Sequence, residues 1–191
     1  MSEAERDGVV ASGRADLRVR PRGPTLPVMA SGWLWLPLSA AVIIADRAVK
    51  LWITHHFAPF ERVHVLKVLD IILTYNTGAA FSFLAEASGW QRWLFVLLAL
   101  GVSGALIVWM RRLHARTQGL LACGLALIVG GALGNMIDRL ASGRVVDFIH
   151  VHAGSAYFPA FNVADSAITV GAAVLLVDAW LESRATRRRH R

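Results

Sequence analysis

Cysteine is almost missing from this chain: its 191 residues hold one, Cys123, set inside a long uncharged apolar run. A single cysteine excludes an intramolecular disulfide and any thiolate cluster for zinc, and in that setting it reads as a small packing residue. There is no HExxH motif, and no serine sits in a nucleophile-elbow pattern, so the usual zinc-protease and serine-hydrolase signatures are absent. Charge is scarce too, at 17% of residues, and is wholly missing from Trp93 to Met110 and from Thr117 to Ile137. Each of those stretches is close to the ~20 residues a helix needs to cross a bilayer. With 55% hydrophobic residues, the composition is that of a membrane protein, not of a soluble domain of similar size.

Two further apolar blocks carry embedded charges. Trp33 to Ile53 holds Asp46, Arg47 and Lys50, and a block from about Phe158 to Trp180 surrounds Asp165. The expected architecture is an all-α membrane protein with four transmembrane helices in one domain, residues 33–181. Residues 1–32, with five arginines, four acids and several prolines and glycines, lack the apolar content to fold alone and are expected to be a disordered basic extension. Residues 182–191 are expected to be a basic cytoplasmic tail. The apolar stretch after Trp33 is too long for the core of a secretory signal and has no small-residue cleavage site before Asp46, which argues against a cleaved leader.

A net charge of +7 invites a nucleic-acid partner, but the placement of the basic residues opposes one. Thirteen of the twenty lie in the N-terminal extension, in the link Arg111, Arg112 and Arg116, and in the tail from Arg184. In a four-span chain those segments share one face, which the basic-residue bias makes cytoplasmic. Both termini are then inside, and the longer connections, about Thr54 to Arg92 and Asp138 to Tyr157, are outside. Trp33, Trp35, Trp52, Trp90, Trp93, Trp109 and Trp180 fall at span ends, as interfacial anchors do.

A charge near the middle of a bilayer costs at least ~2.5–3.5 kcal/mol on the insertion scale, so intramembrane acids are candidate functional groups. Asp46 and Asp165 both fall in the outer half of their spans. The third span ends at that depth through Gly130, Gly131, Gly134, Asn135, Asp138 and Arg139. Gly130 and Gly134 form a small-xxx-small pair for close helix approach, and Asn135 and Arg139 are one turn apart. Asp147 follows among Val145, Val146, Phe148 and Ile149, a setting that should desolvate it. A desolvated carboxyl close to a second one shares a proton with it, and such a pair can hydrolyse a peptide by acid–base chemistry with no covalent intermediate.

Spacing alone leaves an ion site, a structural polar network and, for Asp138 with Arg139, a solvated helix end as alternatives. A transporter relay is opposed by the gathering of ionisable groups at one depth. His150 and His152 are the only metal candidates and read as solvated loop histidines, while His55 and His56 read as interfacial residues. No metal or cofactor is expected.

Taken together, the motifs resemble those of the lipoprotein signal peptidase family, the type II signal peptidases, from about Trp33 to Trp180. The matching stretches are DRAVK from Asp46, NTGAAFSF from Asn76, GGALGNMIDR from Gly130, VVDF from Val145 and FPAFNVADSAITVG from Phe158. The resemblance implies a membrane-embedded aspartyl endopeptidase of the bacterial inner membrane. Such an enzyme removes the signal peptide of prolipoproteins, cutting just before a cysteine that already carries diacylglycerol. It implies Asp147 and Asp165 as the catalytic pair. Asn76, Asn135, Arg139 and Asn162 would position substrate and acids, Asp46 would have a structural or substrate-side role, and Gly131, Asp138 and Ala164 would support the site. The partners implied are prolipoproteins and membrane lipid. The family fold adds a small extracytoplasmic sheet and helix, and the alternation through Val63, Val65, Lys67 and Val68 up to Tyr75 could supply strands of that sheet. The arginine-rich ends lie outside the motifs and suit anionic lipid headgroups.

Overall fold

A computed structural model describes residues 27–78, 89–154 and 156–189. The apolar blocks form helices α1 (Leu36–His56), α2 (Trp90–Met110), α3 (Gly119–Ser142) and α4 (Val163–Arg189). Among the described residues, α2, α3 and α4 are the three helices long and apolar enough to cross a membrane. α1 matches α2 in length, but Asp46, Arg47 and Lys50 interrupt its apolar surface. α2 leaves Leu94, Leu97, Leu98, Val102 and Val108 exposed, the mark of a helix whose outer neighbours are lipid chains.

α3 is the central helix and packs against all three others. Small residues bring the backbones together, the usual device where lipid offers no hydrophobic drive between helices. Gly130 faces Ser39 and Val42 of α1, Gly124 faces Gly171 and Leu175 of α4, and a Cβ on Gly131 would overlap the Ala164 carbonyl. Gly134 lies against both Asp46 and Ala164, so the Gly130 and Gly134 pair serves two neighbours instead of one.

At the end of the bundle where the α2–α3 link runs, Val28–Ala30 and Gly32–Trp35 form short 3-10 turns, and buried Ser31 bridges to His114. Residues 27–32, expected to belong to a disordered extension, are thus folded against that link. Residues 1–26 lie outside the described residues. The indole N–H groups of Trp33 and Trp35 donate to the carbonyls of Ile107 (2.8 Å) and Ala115 (3.2 Å). These two tryptophans tie the bundle together, whereas Trp52, Trp90, Trp93, Trp109 and Trp180 remain exposed as anchors should.

The other end carries an antiparallel sheet of order β1-β2-β3-β4: β1 (Arg62–Leu66), β2 (Leu69–Asn76), β3 (Val145–Ala153) and β4 (Ala156–Tyr157). β1 and β2 come from the alternating stretch that the sequence singles out. β3 pairs with β2 through Asn76↔Val145 and Thr74↔Asp147, and Leu73, Val146 and Phe148 pack with Ile53 to seat the sheet on the end of α1. The surface helix implied by the resemblance does not appear among the described residues. Residues 79–83, the second half of the Asn76 motif, lie outside them.

Candidate active site

The site is built where α4 begins. Asn162 precedes the first turn, and its Oδ1 accepts the amide of Asp165 at 2.9 Å while Asp165 Oδ2 accepts the amide of Asn162 at 3.3 Å. This reciprocal exchange is a capping box, which satisfies two helix-end donors and fixes both side chains. Having capped with its oxygen, Asn162 has its amide nitrogen free to reach outward. Nδ2 donates to Asp147 Oδ1 at 2.7 Å and lies 3.2 Å from both Asn135 Oδ1 and the Val146 carbonyl. Asn135 Nδ2 in turn donates to Asp165 Oδ1 at 2.7 Å. Asp147 and Asp165, eighteen positions apart in sequence, are therefore held by one pair of asparagines.

Asp147, on β3, is 2% exposed and also hydrogen-bonds Asn76. Burial pushes its carboxyl up, and the neighbouring charge of Asp165 pushes it further. Hydrogen bonds from Asn76 and Asn162 and the charge of Lys50 offset part of this, leaving the group at about 6. Asn76 is itself fixed, since its Oδ1 accepts the amide of Gly78 at 2.8 Å.

Beneath the pair lies an ionic layer. Lys50, 1% exposed, places Nζ 2.7 Å from Asp46, 2.7 Å from Asp138 and 3.1 Å from Asn135 Oδ1. Arg47 reaches Asp138 at 2.6 Å. Asp46 accepts the Ala164 amide at 2.9 Å, one of the unpaired donors of the first turn of α4, and Asp138 accepts the Val146 amide at 3.4 Å. Two carboxylates face two cations, so the layer is balanced in charge, as burial demands.

Asp138 and Arg139 are consequently not a paired helix end. Asp138 turns to α1. Arg139 lies over the Phe95 ring, 4.8 Å from its centroid, donates to the Asn135 carbonyl at 3.3 Å, and feels the charges of Asp165, Asp147 and Asp138. Gly131 and Ala164 act through packing, because their contact sets how closely the start of α4 approaches α3. Lys50 and Arg47 were absent from the expected site. The signal available for Lys50 was its position four residues after Asp46, on the same helix face. His150 and His152 are not loop residues: they lie on β3 and pack against the Tyr157 ring.

This fold and site define a helical membrane protein with two acids bridged by asparagines, Asp147 buried and Asp165 half-buried, at the foot of a small sheet. Residues 38–181 match the family model described as signal peptidase (SPase) II. The chain is 54% identical over 148 residues to the lipoprotein signal peptidase of Pseudomonas fluorescens strain Pf0-1, covering 76% of this chain and 85% of that one. It is 46% identical over 155 residues to the lipoprotein signal peptidase of Yersinia enterocolitica, covering 81% and 91%. A solved bacterial membrane enzyme superposes with a TM-score of 0.69 at 27% identity, covering 79% of this chain and 90% of that one. The chain belongs to the signal peptidase II family and is a membrane protease acting on signal peptides.

Proposed function

We propose that the chain is an aspartyl endopeptidase of the bacterial cytoplasmic membrane. It cleaves diacylglyceryl-modified prolipoproteins immediately before the lipidated cysteine, with Asp147 and Asp165 as its acid–base pair. The observation that carries this reading is the Asn162 bridge, which binds Asp147 through its amide and Asp165 through the helix cap. The pair shares one proton, and the buried Asp147 is the member whose acid form its surroundings favour. The ionised carboxylate takes a proton from a water as that water attacks the scissile carbonyl. The protonated partner hydrogen-bonds the carbonyl oxygen, and collapse of the tetrahedral intermediate passes a proton to the leaving amine.

Asn135, Asn162 and Asn76 hold the pair in register, Arg139 supplies positive charge beside it, and the Asp46, Lys50, Asp138 and Arg47 layer fixes the helices that carry them. α1 is the fourth span, its charged residues turned to α3 and α4. Both termini lie in the cytoplasm, in keeping with the basic residues of the tail and the α2–α3 link, and the carboxylate pair lies near the outer face. Membrane lipid and prolipoproteins are the partners, and a substrate anchored by its signal helix and by diacylglycerol presents its cleavage site at that depth.

The test is cleavage of a diacylglyceryl-modified prolipoprotein by the purified protein, wild type against Asp147→Asn and Asp165→Asn, each variant shown to be folded. Cutting before the modified cysteine by wild type, with both variants inactive, supports the assignment. Near wild-type activity in either variant removes that residue from the pair, and an inactive wild type on a verified substrate overturns the reading.

A further inference from the structure

The sheet carries a second polar cluster away from the carboxylate pair. His64 of β1 stands opposite Asp70 of β2, and Asp70 stands opposite His150 of β3, whose neighbour on the same face is His152. Asp70 is completely buried. Its Oδ1 lies 2.6 Å from His64 Nδ1 and 3.3 Å from His152 Nε2, and its Oδ2 has no hydrogen bond. One ligand atom from each of the three residues falls within 4.8 Å of the other two. Two imidazole nitrogens and a carboxylate oxygen at that separation suit a tetrahedral ion with ligand distances of ~2.0–2.2 Å and one position left open.

We propose that His64, Asp70 and His152 form a binding site for a divalent first-row transition cation, with Zn2+ the best match to this donor set. Each ligand comes from a different strand, so the ion would join β1, β2 and β3 at one point. His64 is largely exposed and borders an open groove of about 510 Å³ lined also by Val65, Leu66, Lys67 and His152, which gives the cation and a fourth ligand a way in. His152 is five residues along β3 from Asp147, ~17 Å at the usual strand rise, so the ion takes no part in the chemistry of the pair. Arg62 is the competing group. Its guanidinium lies 3.6 Å from Asp70 Oδ2 and rests over the Tyr157 ring, so it competes with a cation for the charge of the Asp70 carboxylate while leaving Oδ1, the oxygen between the two imidazoles, open.

The test is calorimetric titration of the full chain, free of any polyhistidine tag and stripped by chelator in detergent, with ZnCl2. Visible absorption with Co2+ reports the coordination number. One Zn2+ per chain and four-coordinate Co2+ bands are expected. His64→Ala and His152→Ala should each weaken binding about tenfold or more, and Arg62→Ala should tighten it several-fold, because it frees the carboxylate. If His152→Ala fails to fold, His64→Ala decides, since that exposed side chain is not needed for the core. No saturable binding at one ion per chain, or binding unchanged in His64→Ala, overturns the proposal.

Discussion

Lys50 and Asp138 meet at 2.7 Å across the contact between α1 and α3, each side chain only 2% exposed. Removing one partner of a buried pair strands the other charge, at a cost of about 3–5 kcal/mol. Lys50→Met is therefore expected to lower the thermal unfolding temperature in detergent sharply and to abolish cleavage. Adding Asp46→Asn should restore much of the lost stability, because Arg47 and Asp138 then balance each other. A Lys50→Met protein as stable as wild type would mean that solvent or another cation reaches the layer.

Asn162 performs two tasks with two ends of one amide, and substitutions separate them. Asn162→Ala loses both, with a capping loss of about 0.5–2 kcal/mol. Serine caps a helix about as well but cannot extend an amide to Asp147. Asn162→Ser is expected to unfold close to wild type while its cleavage rate falls about 100-fold or more, read mainly in kcat. Equal recovery of stability and activity in the serine variant would reduce Asn162 to a cap.

Asp147 has a folded pKa of about 6 against an ordinary value of 3.8. The folded state therefore binds this proton more readily than the unfolded chain, and stability is lost as pH rises from about 4 to about 6. Asp147→Asn removes a group that is costly to ionise. It is expected to be more stable than wild type by about 1–3 kcal/mol above pH 6, with the difference vanishing near pH 4. Unfolding followed across that pH range checks both the sign and the window, and a difference that grows toward low pH would contradict it.

Gly131 and Gly101 offer a contrast in helix packing. A methyl group on Gly131 would collide with the Ala164 carbonyl and lift the start of α4, whereas one on Gly101 meets nothing within 4 Å. Gly131→Ala should destabilise the protein and reduce cleavage, while Gly101→Ala should leave both near wild type. Matching unfolding temperatures for the two variants would show that α4 shifts without cost.

Much of this site was legible because acids in apolar surroundings are conspicuous. Asp147 stood out between Val146 and Phe148, and Asp165 stood out inside an apolar block. Lys50 was harder to place, because only one of its partners is local. Asp138 and Asn135 arrive from α3, and Asn135 is 85 residues on in sequence. Strand β3 is not visible in the sequence because its first half, buried on both faces, does not alternate around Asp147. The cluster of His64, Asp70 and His152 depends on the register of three strands, which spacing in one chain does not reveal. Trp33 and Trp35 have the sequence character of anchors, yet carbonyls from other segments claim their indoles.

Asp147 sits on a strand and Asp165 at the start of a helix, while Asp46, fixed by the Ala164 amide, enters from a segment 118 residues earlier. Asn135, which reaches both Asn162 and Asp165, comes from α3, so the two acids are held in place only when α3, β3 and the start of α4 have come together. On the proposed function, activity then belongs to the assembled bundle and sheet and to no single segment of them.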